Sequence, residues 1–324
     1  MFERELETAS RAVTAAAALC VLVRQSADPS TLHKGDKSPV TVADFGSQAV
    51  ICRLLEQAFP DDPVIGEESA SALLAEPGAG TRERVFHHVR HSVPGASDAD
   101  ILRWIDRGAH ERYADRYWTV DPIDGTKGFL RGDQYAVALA LVVDGIPVVA
   151  ALACPSLPGL DGKTGVLMRA VRSRGVTCAP LFSAGGERSV EVSRVARGAD
   201  ARFCESFDSG HSSHDDSAEV ANRLGIVLKP VRMDSQAKYA VVARGDADLY
   251  LRLPARKGYV EKIWDHAAGS LVVEAAGGRV TDAEGRALDF TKGSTLASNR
   301  GVVVTNGALH DEVLEALTAA GLGR

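Results

Sequence analysis

The chain has 324 residues, 45% of them hydrophobic, and a formal net charge of −6 from 43 acidic and 37 basic side chains. This is enough apolar material for one large domain or two lobes, and no basic stretch is dense enough for a nucleic-acid track. The five cysteines (Cys20, Cys52, Cys154, Cys178 and Cys204) are widely spaced and form no CxxC pair, which argues against a disulfide framework or a zinc site and for buried thiols in a reducing compartment.

Leu6, Ala9, Val13, Ala16, Cys20 and Val23 recur at steps of three and four, which predicts an amphipathic helix over 3–25. Glu3, Glu5 and Glu7 precede its apolar part, where a signal peptide needs positive charge. No apolar run reads as long enough to span a membrane. A soluble cytoplasmic protein is expected, with neither nucleic acid nor membrane as partner. Ser26 to Asp36 reads as loop. A second helix is expected from near Asp44 to Phe59, stopped by Pro60.

Val64 to Glu68 reads as a short strand ending in acids. The weakly patterned stretch 71–116 holds one helix candidate, near Ser97 to Arg107, and a polar patch of His87, His88 and His91 that reads as a surface loop. Tyr117, Trp118 and Val120 look like the end of a buried strand. Tyr135 to Val143 and Ile146 to Ala153 flank Asp144-Gly145, a strong hairpin signal. Ser156 to Arg188 reads as loop-rich with broken strands. Beyond it, helices are expected at 217–224, 235–243, 265–276 and 310–320, and strands at 203–206, 248–253, 279–281 and 302–304.

Asp121-Pro122-Ile123-Asp124-Gly125-Thr126 carries the most chemistry. Two carboxylates three residues apart and a nearby hydroxyl sit on a turn that Pro and Gly constrain. Oxygen ligands of this kind suit a hard cation such as Mg2+, although Asp, Pro and Gly are also ordinary turn residues. Asp44 and Asp265 each precede a helix and could simply cap it. Glu67 and Glu68 could be solvated acids at a strand end.

Gly66-Glu67-Glu68-Ser69, Asp121 to Thr126 and Trp264-Asp265 occur together and in order. With them the chain resembles the inositol monophosphatase superfamily of metal-dependent, lithium-sensitive phosphatases. It is most similar there to the 3′(2′),5′-bisphosphate nucleotidases, through Lys37 to Asp44, Lys127 to Ala136, Asp234 to Tyr239 and Tyr259 to Gly269.

The resemblance implies a layered α/β fold. An N-terminal α+β lobe over 1–182 would carry most metal ligands, and a C-terminal α/β lobe over 183–324 would carry the nucleotide-binding residues and Asp265. It implies Glu67, Asp121, Asp124, Asp265 and the Ile123 carbonyl as holders of two or three Mg2+ ions. Asp44 would be the base, and Thr126 would join it in activating water. Thr126, His211, Ser235, Lys238, Arg252 and Asp265 would meet a small nucleotide substrate, with His214 a rival for His211. Ser235 and Lys238, three apart at an expected helix start, would share a face open to anions. Lys238 and Arg252 read equally as a solvated face. The expected reaction is hydrolysis of 3′-phosphoadenosine 5′-phosphate to AMP and phosphate. An inositol phosphate phosphatase and a non-catalytic nucleotide sensor are the rival readings.

Overall fold

The computed structural model describes residues 2–26, 31–33, 39–74, 79–207, 214–253 and 258–323. Helix α1 (Glu3–Gln25) leads to two short strands, β1 (Thr31–His33) and β2 (Pro39–Thr41), paired antiparallel. Next come α2 (Val42–Ala58), β3 (Val64–Gly66), α3 (Ala70–Leu74), α4 (Ala79–Ser92) and α5 (Asp98–Asp106). Strand β4 (Arg116–Asp124) and the short α6 (Thr126–Arg131) introduce β5 (Ala136–Val143), β6 (Ile146–Pro158), β7 (Thr164–Val171), β8 (Gly175–Pro180) and β9 (Arg188–Ser189). The remainder alternates: β10 (Phe203–Glu205), α7 (His214–Arg223), β11 (Val231–Arg232), α8 (Ala237–Ala243), β12 (Leu249–Arg252), α9 (Ala267–Ala275), β13 (Arg279–Thr281), β14 (Val302–Thr305) and α10 (His310–Ala319).

Strands β3 to β9 form one sheet in sequence order, with β3 parallel to β4 and the later pairs antiparallel. The second sheet runs β11-β10-β12-β14-β13. Successive strand side chains face opposite ways. Strand β5 therefore sends Val137, Leu139 and Leu141 into a core with α1 and α2, and Ala138, Ala140 and Val142 into another with α8 and α9. In β12, Tyr250 joins the α8/α9 core, while Leu249 and Leu251 meet α7 and α10 in a third. The result is a layered α/β stack in which α8 and α9 lie between the two sheets. These helices approach closely: a Cβ on Gly269 would fall 2.4 Å from the Tyr239 ring.

Several sequence expectations need correcting. By length and hydropathy α1 would suffice to cross a bilayer, but in the fold it packs on α2 and β6 with Ala9, Val13, Ala16 and Cys20 fully buried. His87, His88 and His91 lie on α4, a helix anchored by buried Val85, Phe86 and Val89, and not on a loop. Most of 156–188 is regular sheet, because β7 and β8 extend the antiparallel run. The Asp144-Gly145 turn is as expected, both residues having positive φ (51° and 74°).

Candidate active site

Strand β4 carries the central acids to the edge of the α8/α9 layer. Asp121 pairs with Ala138 and Asp124 with Ala136, so β4 holds one residue more than β5 across this interval. Pro122 has no N–H for the ladder, and the resulting bulge re-aims the strand end. Gly125 follows at φ 84°, and a Cβ there would lie 2.9 Å from the Ser235 Cβ. Glycine thus serves both the left-handed backbone and the close approach. Thr126 then opens α6.

Asp44 is not the cap of α2. Thr41 is the N-cap, and Asp44, in the first turn, closes a capping box: its Oδ2 accepts from Thr41 N at 2.7 Å and Thr41 Oγ1 at 2.6 Å. Its Oδ1 faces Thr126 Oγ1 at 3.2 Å, and the same hydroxyl lies 3.2 Å from the Ile123 carbonyl. The strand end and the helix start are therefore tied through the very groups expected to act together.

Two residues that the sequence did not mark hold this geometry. Gln48, buried on α2, donates to the carbonyls of Glu68 (2.6 Å) and Ile105 (2.8 Å) and accepts from Glu68 N (3.0 Å), fixing the segment that presents Glu67. Gln236 donates its backbone N–H to Asp124 Oδ2 at 2.6 Å. Its side chain donates to the Trp264 carbonyl at 2.9 Å and accepts from Gly269 N at 3.0 Å. A glutamine in an apolar helix face, or beside the Asp234-Ser235 turn, gives only a faint signal of such a role.

Asp265 ends a single 3-10 turn, Ile263–Asp265, and the N-cap of α9 is His266, so Asp265 is free of the capping role. Burial first, then the charges of Glu67, Asp124, Asp265 and Asp44, hold Asp121 well above the usual carboxylate range. Burial and Asp265 push Asp124 up to about 7, against the pull of Lys238, Arg252 and the Gln236 amide. Burial also raises Asp265, although Arg252 and His266 oppose it. Clustered, desolvated carboxylates of this kind are costly as anions unless a cation joins them. Asp121 Oδ1 is moreover buried with no hydrogen-bond partner among the described residues. An orphaned carboxyl oxygen surrounded by other acids fits a hard, oxygen-seeking divalent ion.

The substrate side differs in detail from expectation. Ser235 is not on the helix: it has φ 69° and precedes α8, its Oγ accepting from Ala237 N at 3.2 Å. It therefore does not share a helical face with Lys238. Nor is Lys238 a solvated residue. It is 4% exposed, its Nζ stands 5.0 Å from the Tyr250 ring centroid, and burial lowers its pKa while Asp124 raises it. No carboxylate among the described residues lies within ion-pair distance of it. Arg252 is equally buried and is already engaged with Asp265 and Glu261. His211 and the side chain of His214 lie outside the described residues.

The model of the inositol monophosphatase family matches residues 3–322, and the chain belongs to that family. It is 43% identical to a 3′(2′),5′-bisphosphate nucleotidase of Schizosaccharomyces pombe, across 92% of this chain and 89% of that protein. It is 44% identical to 3′(2′),5′-bisphosphate nucleotidase 1 of Arabidopsis thaliana, across 98% and 96%. Among solved structures, the inositol monophosphatase of Anabaena aligns with a TM-score of 0.63 at 21% identity, covering 97% of this chain and 94% of that one. CysQ of Bacteroides thetaiotaomicron, a bacterial family member, aligns at 0.61 and 22%, covering 94% and 98%. These two support the fold.

Proposed function

We propose that this chain is a Mg2+-dependent phosphatase that removes the 3′-phosphate of 3′-phosphoadenosine 5′-phosphate, leaving AMP and phosphate. The observation that carries the substrate reading is Lys238: a buried amine beside the acid cluster, with no carboxylate among the described residues within ion-pair distance, is suited to a second anionic group on the substrate. The names of the curated relatives point the same way.

In this reading Glu67, Asp121, Asp124 and Asp265, with the Ile123 carbonyl, hold the ions. Bound Mg2+ supplies positive charge for the phosphate oxygens and makes water a competent nucleophile. The chain's own part is positional. Thr41 occupies Asp44 Oδ2 with two donors, so Oδ1 is the oxygen turned to Thr126. Thr126 orients the attacking water, and Asp44 takes its proton as the new P–O bond forms; the bond to the ribose 3′ oxygen breaks in line, and that oxygen leaves with the bond pair and takes a proton from solvent. Ser235, at the turn before α8, and Lys238 would face the 5′-phosphate, with His211 and Arg252 completing the nucleotide site. All five cysteines are buried and unpaired, which supports a reducing compartment such as the cytoplasm.

Phosphate release should be measured on one preparation with 3′-phosphoadenosine 5′-phosphate, 3′-AMP and inositol 1-phosphate, each with Mg2+ and with EDTA. The bisphosphate should lead by about ten- to a hundred-fold in kcat/KM, the value of one charge-assisted contact. A lead for inositol 1-phosphate would overturn the nucleotide reading. Nucleotide binding without release would make the chain a sensor.

A further inference from the structure

Arg252 is held by two acids, and its Nη2 also donates to the Tyr259 hydroxyl at 3.4 Å. Its Nη2 donates to Asp265 Oδ2 at 2.9 Å. Its Nε lies 2.8 Å from Glu261 Oε2, an ion pair whose N–H is not aligned for a hydrogen bond. That same Glu261 oxygen stands 3.0 Å from His266 Nε2, and His266 Nδ1 lies 2.7 Å from the Tyr239 hydroxyl. Tyr239, Glu261 and His266 are all buried. A carboxylate can only accept, so His266 Nε2 carries the proton toward Glu261, and Nδ1 pairs with the Tyr239 hydroxyl. The relay ties α8 and the start of α9 to the end of β12. Glu261, Asp265 and His266 bring ligand atoms within 4.8 Å of one another. Arg252 pairs with both acids, however, so the group reads as an ion-pair network and not as a further cation site.

A guanidinium with a single acid partner tends to close on it through two parallel bonds. Asp265 would then turn both oxygens to Arg252 and hold a cation less well. Glu261, drawing on Nε from the other side, opposes that closure. A carboxylate anchored at only one point would swing with Arg252. His266 holds that carboxylate at a second point, and Tyr239 in turn holds His266.

We propose that Tyr239, His266 and Glu261 are positioning residues that restrain Arg252 to one bond with Asp265 and so keep Asp265 available to Mg2+. The proposal rests on the reading of Asp265 as a Mg2+ ligand.

The test is the Mg2+ affinity of the full chain, measured by titration calorimetry without substrate, in wild type, Glu261→Gln and Tyr239→Phe. Gln keeps the shape and an acceptor for His266 but loses the charge that draws Arg252. Glu261→Gln should weaken Mg2+ binding about tenfold, as for loss of one charge-assisted contact, with kcat at saturating Mg2+ largely retained. Tyr239→Phe removes one hydroxyl at the far end of the relay and should weaken it roughly two- to threefold, as for part of a neutral hydrogen bond. A folded Glu261→Gln protein with wild-type Mg2+ affinity, or one that loses only thermal stability, would overturn the relay alone. If that variant does not fold, unchanged affinity in Tyr239→Phe does so. Wild-type protein that binds no Mg2+ would overturn the functional reading, and the relay with it.

Discussion

Asp124→Asn should make the metal-free protein more stable and the enzyme nearly inactive. On folding, the Asp124 carboxyl moves from 3.8 to about 7. Because the folded value is the higher one, the native state keeps this proton where the unfolded chain has lost it. Stability is untouched below about pH 4, falls as pH rises toward 7, and the loss is complete above that. A shift of that size corresponds to roughly 4 kcal/mol at pH 8. It already includes the opposing help of Lys238, Arg252 and the Gln236 amide. Asparagine keeps an acceptor for that amide without the charge. Unfolding entropy of about 2.1 cal/mol/K per residue gives roughly 0.7 kcal/mol/K for a chain of this length, so the midpoint should rise by about 6 °C. Melting in EDTA at pH 8 and near pH 4.5 should show this rise at the higher pH and under about 2 °C at the lower. Mg2+ should in turn stabilise wild type at pH 8 far more than the variant. Equal shifts at both pH values, or no rise at pH 8, would mean that Asp124 is not a desolvated member of an acid cluster.

Two further substitutions separate the remaining roles. Thr126→Ala should lower kcat by about a hundredfold or more while leaving KM nearly unchanged, because orienting the nucleophile matters mainly in the transition state; a rise in KM alone in steady-state kinetics would make Thr126 a binding residue. Lys238→Ala should cut kcat/KM for 3′-phosphoadenosine 5′-phosphate by about ten- to a hundred-fold and barely alter that for 3′-AMP, which has no second phosphate to lose. Equal losses on both substrates would place Lys238 with the acid cluster or the fold.

Where the physics is local, the sequence already showed the result. The three- and four-step spacing from Leu6 to Val23 became α1, and Asp144-Gly145 became a turn of two left-handed residues. Helix α4 was also written locally, in Val85, Phe86 and Val89, but the charges and histidines between them masked the period. The position of Ser235 was not legible. Asp-Ser-Gln-Ala-Lys reads as a helix start, yet the Gln236 amide is committed to Asp124 and the Ser235 Cβ stands against Gly125, 110 positions away along the chain. Those contacts set a positive φ that no propensity favours. Gln48 was hidden for the same reason, since its partners, Glu68 and Ile105, are brought to it only by the fold.

The acids themselves were legible because their presence makes little sense as packing. Asp44, Glu67, Asp121, Asp124 and Asp265 come from α2, the residue after β3, β4 and the 3-10 turn before α9. Asp121 feels the charge of the other four, and burial is the largest cause of its raised pKa. A fold seeking only stability would place an apolar side chain at 121, where Trp118, Val120 and Ile123 show how deep the strand runs. The cost is tolerable if a cation offsets it in the working state. The surrounding neutral groups (Thr41 on Asp44, Gln48 beside Glu67, the Gln236 amide on Asp124) then hold the carboxylates in place without adding positive charge that would compete for them. Among the described contacts, Arg252 does touch one of these acids, Asp265, directly, and there the chain supplies a second acid, Glu261, to share the guanidinium.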